Sequence, residues 1–297
     1  MAESPAHRFG QIVGEVLEAA IAPLLAEFAG KHGLYLDKQG ERVCRPGKRC
    51  TWLDLNKNKH DLDFVLERGG STDELGIPAA FIETAWRRYT KHSRNKAQEI
   101  QGAIVPLAET YKNASPFIGV VLAGVFTEGA LAQLRSLGFC VLHFSYESVI
   151  SAFKDYRIDA AFDEETTDAE FKKKVAAYDA LPGEKRMALA RALLHKQKAD
   201  AEDFMDALEK VVSRQIDRIT ILPLHGSATE LPNVEDAIKF IQGYTEKGGR
   251  QPIQRYEIRI RYNNGDSVEA TFHDKRDAVA FLRTYQPVPA AKIKNKI

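Results

Sequence analysis

Hydrophobic positions in the first half of the chain follow two kinds of pattern, one typical of helices and one typical of strands. Between residues 5 and 30 they recur every three or four residues, which predicts one long helix with a wide apolar stripe. Residues 61–66 and 79–86 are short, largely apolar segments bounded by turn residues, and each predicts a strand. A second helical pattern covers residues 94–111, and the unbroken apolar run 117–126 is typical of a central strand covered on both faces.

A helix, a strand and another helix are predicted next. Thr127 can cap the first of these helices, because its hydroxyl can accept a hydrogen bond from the first turn. Residues 139–144 predict a short apolar strand, and a helix follows over about residues 145–153. Elements in this order predict an α/β sandwich that covers residues 1–155.

The hydrophobic pattern changes after this point. Residues 159–170 are rich in acidic side chains, and helical segments then extend to about residue 218. No repeat of 20 to 50 residues is apparent. We therefore expect residues 156–297 to form a mostly helical accessory region.

A hairpin and a helix are predicted at the end of that region. Apolar and polar side chains alternate in residues 256–262 and again in residues 268–272. A two-residue turn would pair Ile260 with Glu269 and place the two apolar sets on different faces, so we expect a loop of odd length, three or five residues. A helical pattern over about residues 275–285 completes a small ββα unit.

Composition narrows the class of protein. A hydrophobic content of 44% and a charged content of 28% over 297 residues exclude a wholly disordered or collagen-like chain. The formal net charge of +1 leaves local clusters as the only charge signal for a polyanionic partner. The three scattered cysteines suit a reducing compartment, and the sequence shows no signal peptide and no membrane-spanning run. We expect a cytoplasmic protein.

Two acids occupy neighbouring predicted strands. Asp63 lies in the first strand, and Glu83 lies in the second, on the same face as Phe81 and Ala85. Carboxylates that project from adjacent strands can share Mg²⁺, with a backbone carbonyl and water completing the coordination. Acidic residues are uncommon inside strands, which favours this function. The alternative is that both acids only begin and end strands at the solvent.

A basic run follows the second acid. Residues 86–96 contain five basic residues, one histidine and two aromatic residues, a mixture that suits phosphate oxygens and base edges. A second basic stretch, residues 42–59, precedes the two acids. A charge run is usually a solvated surface, but positive walls around an acidic metal centre also favour hydrolysis of a polyanion.

With these features the chain resembles the PD-(D/E)XK nuclease superfamily, and within it the type II restriction endonucleases, over roughly residues 10–155. That superfamily has an αβββαβ sandwich core, with one acid on a strand and an acid-X-Lys motif on the next. Asp63 matches the first acid, and Glu83-Thr84-Ala85 matches the second motif except that alanine stands in place of lysine. The role of lysine could have migrated to Lys91 or Lys96, the position could be naturally different, or it could carry an inactivating substitution.

The resemblance implies a Mg²⁺-dependent endonuclease that cleaves double-stranded DNA and acts as a homodimer. It implies that Asp63, Glu83 and the Ala85 carbonyl hold the metal, with Lys91 as the candidate catalytic lysine. It also implies that DNA is bound by the basic run, namely Arg87, Arg88, Lys91, His92, Arg94 and Lys96. In the C-terminal unit, Arg259, Arg261 and His273 are expected to aid dimerisation or to clasp DNA; the alternative is that they form cross-strand charge pairs with Glu257 and Glu269.

Other candidates and other functions carry less weight. Asp61 is a possible second ligand but is expected to flank the site, and His143 is expected to be a satisfied core histidine. Glu15 and Glu18 could contribute an outer-shell acid but are expected to be solvated helix positions. A degenerate nuclease fold that binds DNA without cleaving it is the alternative function, supported by the missing lysine. A Rossmann-like enzyme is disfavoured because no GxGxxG loop follows any predicted strand.

Overall fold

The chain folds into two compact units that divide between Glu209 and Lys210. Each unit has its own sheet and its own hydrophobic core. Among the helices of the described residues, none is both long and apolar enough to cross a membrane. These features come from a computed structural model that describes most of the chain, namely residues 4–90, 93–112, 114–224, 226–245 and 255–286.

The N-terminal unit alternates helices and strands. In chain order its elements are α1 (Pro5–His32), β1 (Leu34–Lys38), β2 (Cys50–Leu53), β3 (Lys59–Leu62), β4 (Phe64–Arg68), β5 (Ile77–Arg87), α2 (Ser93–Thr110), β6 (Phe117–Gly124), α3 (Glu128–Ser136), β7 (Cys140–Ser145), α4 (Tyr146–Lys154), α5 (Asp168–Asp179), α6 (Gly183–Lys196) and α7 (Lys198–Val212).

Five of these strands form one mixed sheet in the order β1-β4-β5-β6-β7. Strands β1, β4 and β5 are antiparallel neighbours, whereas β5, β6 and β7 run parallel because α2 and α3 connect them. Helices α2 and α3 cover the face that carries Phe81 and Ala85. Helix α1 lies against the other face, where Gly10 is beside the Trp86 ring. The unit is a mixed α/β structure, as the hydrophobic pattern predicted.

The predicted cap is present at the expected residue. Thr127 has extended backbone angles, and its hydroxyl accepts a hydrogen bond from the Ala130 N–H at 3.2 Å, which begins α3. Strand β6 has every residue but Ile118 buried, because helices pack on both of its faces. Local patterning therefore predicted this part of the fold.

One predicted strand is divided in two. Residues 61–66 were expected as a single strand, but the chain changes sheets at Asp63. Strand β3 pairs with β2 in a separate two-stranded sheet, and β4 pairs with β1 and β5 in the main sheet. The hydrophobic pattern runs unbroken through this point, because residues on both sides of Asp63 are buried, so it does not reveal the change of partner.

The first two arginines of the basic stretch 42–59 are buried in ion pairs. The Arg42 guanidinium is buried and bonds both carboxylate oxygens of Glu67 at 2.5 and 3.0 Å. The Asp37 carboxylate is 2.8 Å from the Arg42 guanidinium and 3.0 Å from that of Arg45. Asp37 and Arg45 are buried as well. Arg42 and Arg45 therefore hold the loop before β2 to the sheet, whereas the other basic residues of the stretch are exposed, namely Lys48, Arg49, Lys57 and Lys59.

The N-terminal unit continues beyond residue 155, where the sequence pattern suggested a boundary. Helices α5 and α6 pack on α1 and extend its core. Phe171 lies 6.2 Å from the Phe9 ring, and Tyr178 stacks on Phe153 at 6.5 Å. The aromatic side chains of α5 thus pack against both α1 and α4, so this helix belongs to the core of the N-terminal unit.

The C-terminal unit contains more strand than expected. Its elements are β8 (Ile216–Pro223), β9 (Thr229–Leu231), α8 (Val234–Gly243), β10 (Tyr256–Tyr262), β11 (Ser267–Phe272) and α9 (Lys275–Arg283), with the sheet order β11-β10-β8-β9. The predicted hairpin is confirmed: Ile260 pairs with Val268, which leaves a loop of odd length. The helical segments that were expected to extend to about residue 218 end with α7 at Val212. Ile219 and Ile221 are core residues of β8, a strand that the sequence pattern missed.

This unit is an internal repeat, which the sequence pattern also missed. It contains two successive ββα units, with α8 and α9 beginning 41 residues apart. The side chains of Asn233 and Asp274 cap the two helices, each accepting from the N–H three residues later. Tyr244 and Tyr285 occupy equivalent positions after the helices. Sequence similarity between the two ββα units is confined to the helix and its cap. The repeat is therefore clear from the structure but not from the sequence pattern.

Candidate metal and nucleic-acid site

Two acids meet at the point where the chain changes sheets. Asp63 lies between β3 and β4, and Glu83 lies in β5. The β4–β5 ladder pairs Phe64 with Ile82, so its next step places Asp63 beside Glu83. The two acids that the sequence pairs are therefore neighbours in the structure, at the edge of the ladder where β4 begins.

Glu83 is an acid in an apolar setting. Its side chain is 14% exposed, and its buried Oε2 atom has no hydrogen-bond partner among the described residues. Burial, and then the charge of Asp63, raise the pKa of Glu83 from 4.5 to about 8, while Lys96 opposes the increase. The Glu83 carboxyl therefore holds a proton near neutral pH, and a cation at this position would replace it.

A lysine reaches this carboxyl from α2. The Lys96 ammonium lies 3.9 Å from Oε1 of Glu83 and 3.5 Å from Oε2 of Glu99. The Arg87 guanidinium is 3.7 Å from the same Glu99 oxygen. Glu99 thus bridges two basic side chains of the predicted run beside the buried acid.

A third carboxyl approaches from the other side of the sheet. Glu18 lies on α1, and burial followed by the charges of Asp63 and Glu15 raises its pKa from 4.5 to about 7. Glu18 is partly buried, so it is not the solvated helix position that was expected. Its neighbours in sequence, Leu17 and Ala20, are buried, and this proximity to the core was the signal that sequence reasoning undervalued.

Ala85 has no polar role through its side chain. It is 6% exposed and belongs to the hydrophobic cluster formed with α2 and β6. Because side chains alternate along a strand, Ala85 shares a face with Glu83. Lys96 approaches that same face from α2, so its ammonium is the positive group closest to Glu83 in the described residues.

The residues of the basic run lie in different surroundings. Arg88 donates from Nε to the Phe162 carbonyl at 2.7 Å and lies 4.0 Å over the Tyr146 ring. These contacts hold the partly buried Arg88 within the protein, and its contact with a phosphate stays a prediction. Arg94 is exposed on the first turn of α2. The predicted roles of Lys91 and His92 concern residues outside the described ranges.

Two further candidates, Asp61 and His143, have local partners. Asp61 accepts from the Thr51 hydroxyl and from Arg49, at 2.5 and 2.9 Å, on the β2–β3 hairpin. His143 bonds the Gly124 carbonyl at 3.0 Å, as expected for a satisfied core histidine. Neither residue faces the two acids through these contacts.

The C-terminal hairpin contains the predicted charge pair. Arg259 lies opposite Glu269 in the β10–β11 ladder and forms an ion pair with it. Arg261 and His273 are exposed. Arg259 is therefore engaged within the sheet face, which accounts for its position without a DNA partner.

The chemistry of the site follows from its donor set. Within the described ranges, no group of three or more His, Cys, Asp and Glu side chains is arranged to hold a metal ion. Asp63 and Glu83 provide two carboxylates, and Mg²⁺ is commonly bound by one or two carboxylates, water and substrate phosphate. The orphaned Oε2 of Glu83 is the observation that favours a cation here, because a buried acceptor without a donor is rare.

Comparisons of the chain with protein-family models, with curated proteins and with solved structures found no match.

Proposed function

We propose that the protein is a Mg²⁺-dependent endonuclease that hydrolyses phosphodiester bonds in double-stranded DNA, similar to the type II restriction enzymes of the PD-(D/E)XK superfamily. The observation that carries the proposal is the pair of adjacent acids, Asp63 and Glu83, with Lys96 beside them. The element order supports it: α1, the antiparallel strands β1, β4 and β5, then α2 and parallel β6 follow the αβββαβ order.

The metal would be held by Asp63, Glu83 and the main-chain carbonyl of Ala85. Both carboxylates must be ionised to bind it, so binding releases the proton that Glu83 holds near neutral pH. When bound, the ion supplies an activated water and stabilises negative charge on the scissile phosphate. The role of the protein is to orient the two carboxylates and to exclude competing solvent on the apolar side.

Lys96 takes the role of the missing motif lysine in this proposal. It comes from α2 to the face that Glu83 shares with position 85, at 3.9 Å from the carboxylate. Its ammonium adds positive charge where negative charge develops during hydrolysis. Lys91, the other candidate for this role, precedes α2 in the chain.

DNA would be bound by the basic run, namely Arg87, Arg88, Lys91, His92, Arg94 and Lys96. Arg94 is exposed at the beginning of α2, close in sequence to Lys96. Phosphate contacts from such residues position the duplex, and base contacts specify its sequence. A homodimer would cut both strands of a palindromic site, since its two-fold axis matches that of the DNA. We place this activity in the cytoplasm.

The test is Mg²⁺-dependent cleavage of supercoiled plasmid by the wild type, Asp63→Asn and Lys96→Met. Each variant should lose more than about 100-fold in rate, because each removes several kcal/mol of charge stabilisation. Asp61→Asn is the matched control: it lies two residues from Asp63 but bonds Thr51 and Arg49, and should cleave normally. Full activity of Asp63→Asn in excess Mg²⁺ would contradict the proposal.

A second function is a degenerate nuclease that binds DNA without cleaving it. The observation that favours it is Ala85, whose methyl group occupies the position of the motif lysine in the apolar cluster. Titration of a labelled duplex, in parallel with the cleavage assay, separates the two functions. Binding without cleavage by the wild-type protein supports this alternative.

A further inference from the structure

Thr84 makes two hydrogen bonds to one oxygen of Asp63. Its backbone N–H and its hydroxyl both donate to Oδ2, each over 2.7 Å. Thr84 is 8% exposed, so these bonds are sheltered from water. The β4–β5 ladder begins only at the pair Phe64 and Ile82, and the Asp63 carboxylate takes the place of a strand carbonyl for the Thr84 N–H.

Two donors on the same oxygen fix the rotation of a carboxylate. Oδ2 of Asp63 faces Thr84, so Oδ1 is the oxygen turned to any further partner. The carboxylate beside that of Asp63 at the end of the β4–β5 ladder is that of Glu83, whose Oε2 atom is buried and has no hydrogen-bond partner among the described residues. Adjacent strand residues point to opposite faces. Asp63, one step beyond the end of the ladder, is bonded by Thr84 and lies beside Glu83, which carries the second carboxylate.

We propose that Thr84 is the positioning residue of this site, holding Asp63 so that Oδ1 meets a divalent cation shared with Glu83. The inference rests on the proposed metal site and adds a residue to it. Groups that orient a metal ligand through a hydrogen bond commonly change metal affinity by about 10- to 100-fold when they are replaced. The hydroxyl of Thr84 should have an effect at the lower end of this range, because the backbone N–H remains.

The test measures Mn²⁺ binding by calorimetry on the full-length protein. Thr84→Val keeps the β-branched shape but lacks the hydroxyl, and should bind Mn²⁺ about tenfold more weakly. Thr84→Ser restores a hydroxyl and should bind within about twofold to threefold of the wild type. Thr51→Val is the matched control, since Thr51 makes the same bond to Asp61 on the adjoining hairpin, and it should bind Mn²⁺ normally.

Cleavage provides a second readout. Thr84→Val should need more Mg²⁺ for half-maximal cleavage but reach a similar maximal rate, whereas a merely structural role would lower thermal stability without changing metal affinity. Wild-type Mn²⁺ affinity in Thr84→Val overturns the inference even if the protein is a nuclease. Absence of Mn²⁺ binding by the wild type overturns it as well. Mn²⁺ binding that depends on Thr84, in a protein that does not cleave DNA, supports it and rejects only the endonuclease activity.

Discussion

Replacing Glu83 with glutamine should make the metal-free protein more stable while abolishing the proposed nuclease activity. Glutamine has nearly the shape of the protonated acid and does not ionise. In the wild type, burial and the Asp63 charge raise the pKa of Glu83 to about 8, from 4.5. The folded protein therefore holds the Glu83 proton more tightly than the unfolded chain does, and ionisation destabilises the fold.

The sign and the size of the effect follow from that difference. The contribution of a raised acid pKa is fully present below pH 4.5 and is lost as the pH rises through 8. Each pKa unit corresponds to about 1.4 kcal/mol, so wild type should lose on the order of 3 kcal/mol between pH 5 and pH 7.5 relative to Glu83→Gln. The charged side chains that act on Glu83 are those of Asp63, Lys96 and Glu18, and all three residues are retained in the variant.

Urea denaturation followed by tryptophan fluorescence is the appropriate assay. Both tryptophans of the chain, Trp52 and Trp86, lie in the N-terminal unit, so the signal reports unfolding of the unit that contains Glu83. Glu109→Gln is the control, since Glu109 is an exposed carboxyl on α2. Its free energy of unfolding should differ from wild type by no more than about 0.5 kcal/mol at any pH.

Magnesium provides an internal check on this reasoning. It should recover part of the wild-type stability at pH 7.5, because a cation that binds only the folded state stabilises it, and it should leave Glu83→Gln unchanged. Parallel curves for wild type and Glu83→Gln from pH 5 to pH 8 would refute the buried-acid description. A variant that is stabilised equally by Mg²⁺ would refute the metal assignment.

Two further predictions concern the basic residues. Arg42→Met should lower the free energy of unfolding by about 3–5 kcal/mol, because it leaves Glu67 buried and unpaired, whereas Lys48→Met, at an exposed ion pair, should cost less than about 1 kcal/mol. Equal losses in urea denaturation would contradict this contrast. Arg94→Ala should reduce the salt dependence of DNA binding by about one unit if it contacts a phosphate, or cost about 1–3 kcal/mol on the cognate site alone if it reads a base. Arg191→Ala, an exposed arginine on α6, is the comparison, and an Arg94→Ala titration identical to it across salt concentrations would remove Arg94 from the interface.

Much of the local structure was determined by the sequence alone. Hydrophobic periods predicted helices α1 to α4 and strands β5 to β7, the Thr127 cap and the odd loop of the C-terminal hairpin, but they missed β1 and β2 and merged β3 with β4. They also predicted that Asp63 and Glu83 lie on adjoining strand segments. These features depend on neighbours within a few residues, where backbone propensity and side-chain alternation act directly. Strand β8 was missed because its short apolar alternation follows a helical pattern without a strong turn signal.

The partners of the charged side chains were decided by the tertiary structure. Arg42 and Glu67 are 25 residues apart, and their burial depends on how the loop before β2 folds onto the sheet. The chain changes sheets at Asp63 because β3 finds a partner in β2 while β4 finds β1 and β5. Glu18 and Lys96 approach the acids from opposite layers of helices. A sequence pattern specifies which face of an element a residue occupies. The electrostatic environment of that face is set by elements distant in sequence, and this environment decides which acids keep their protons.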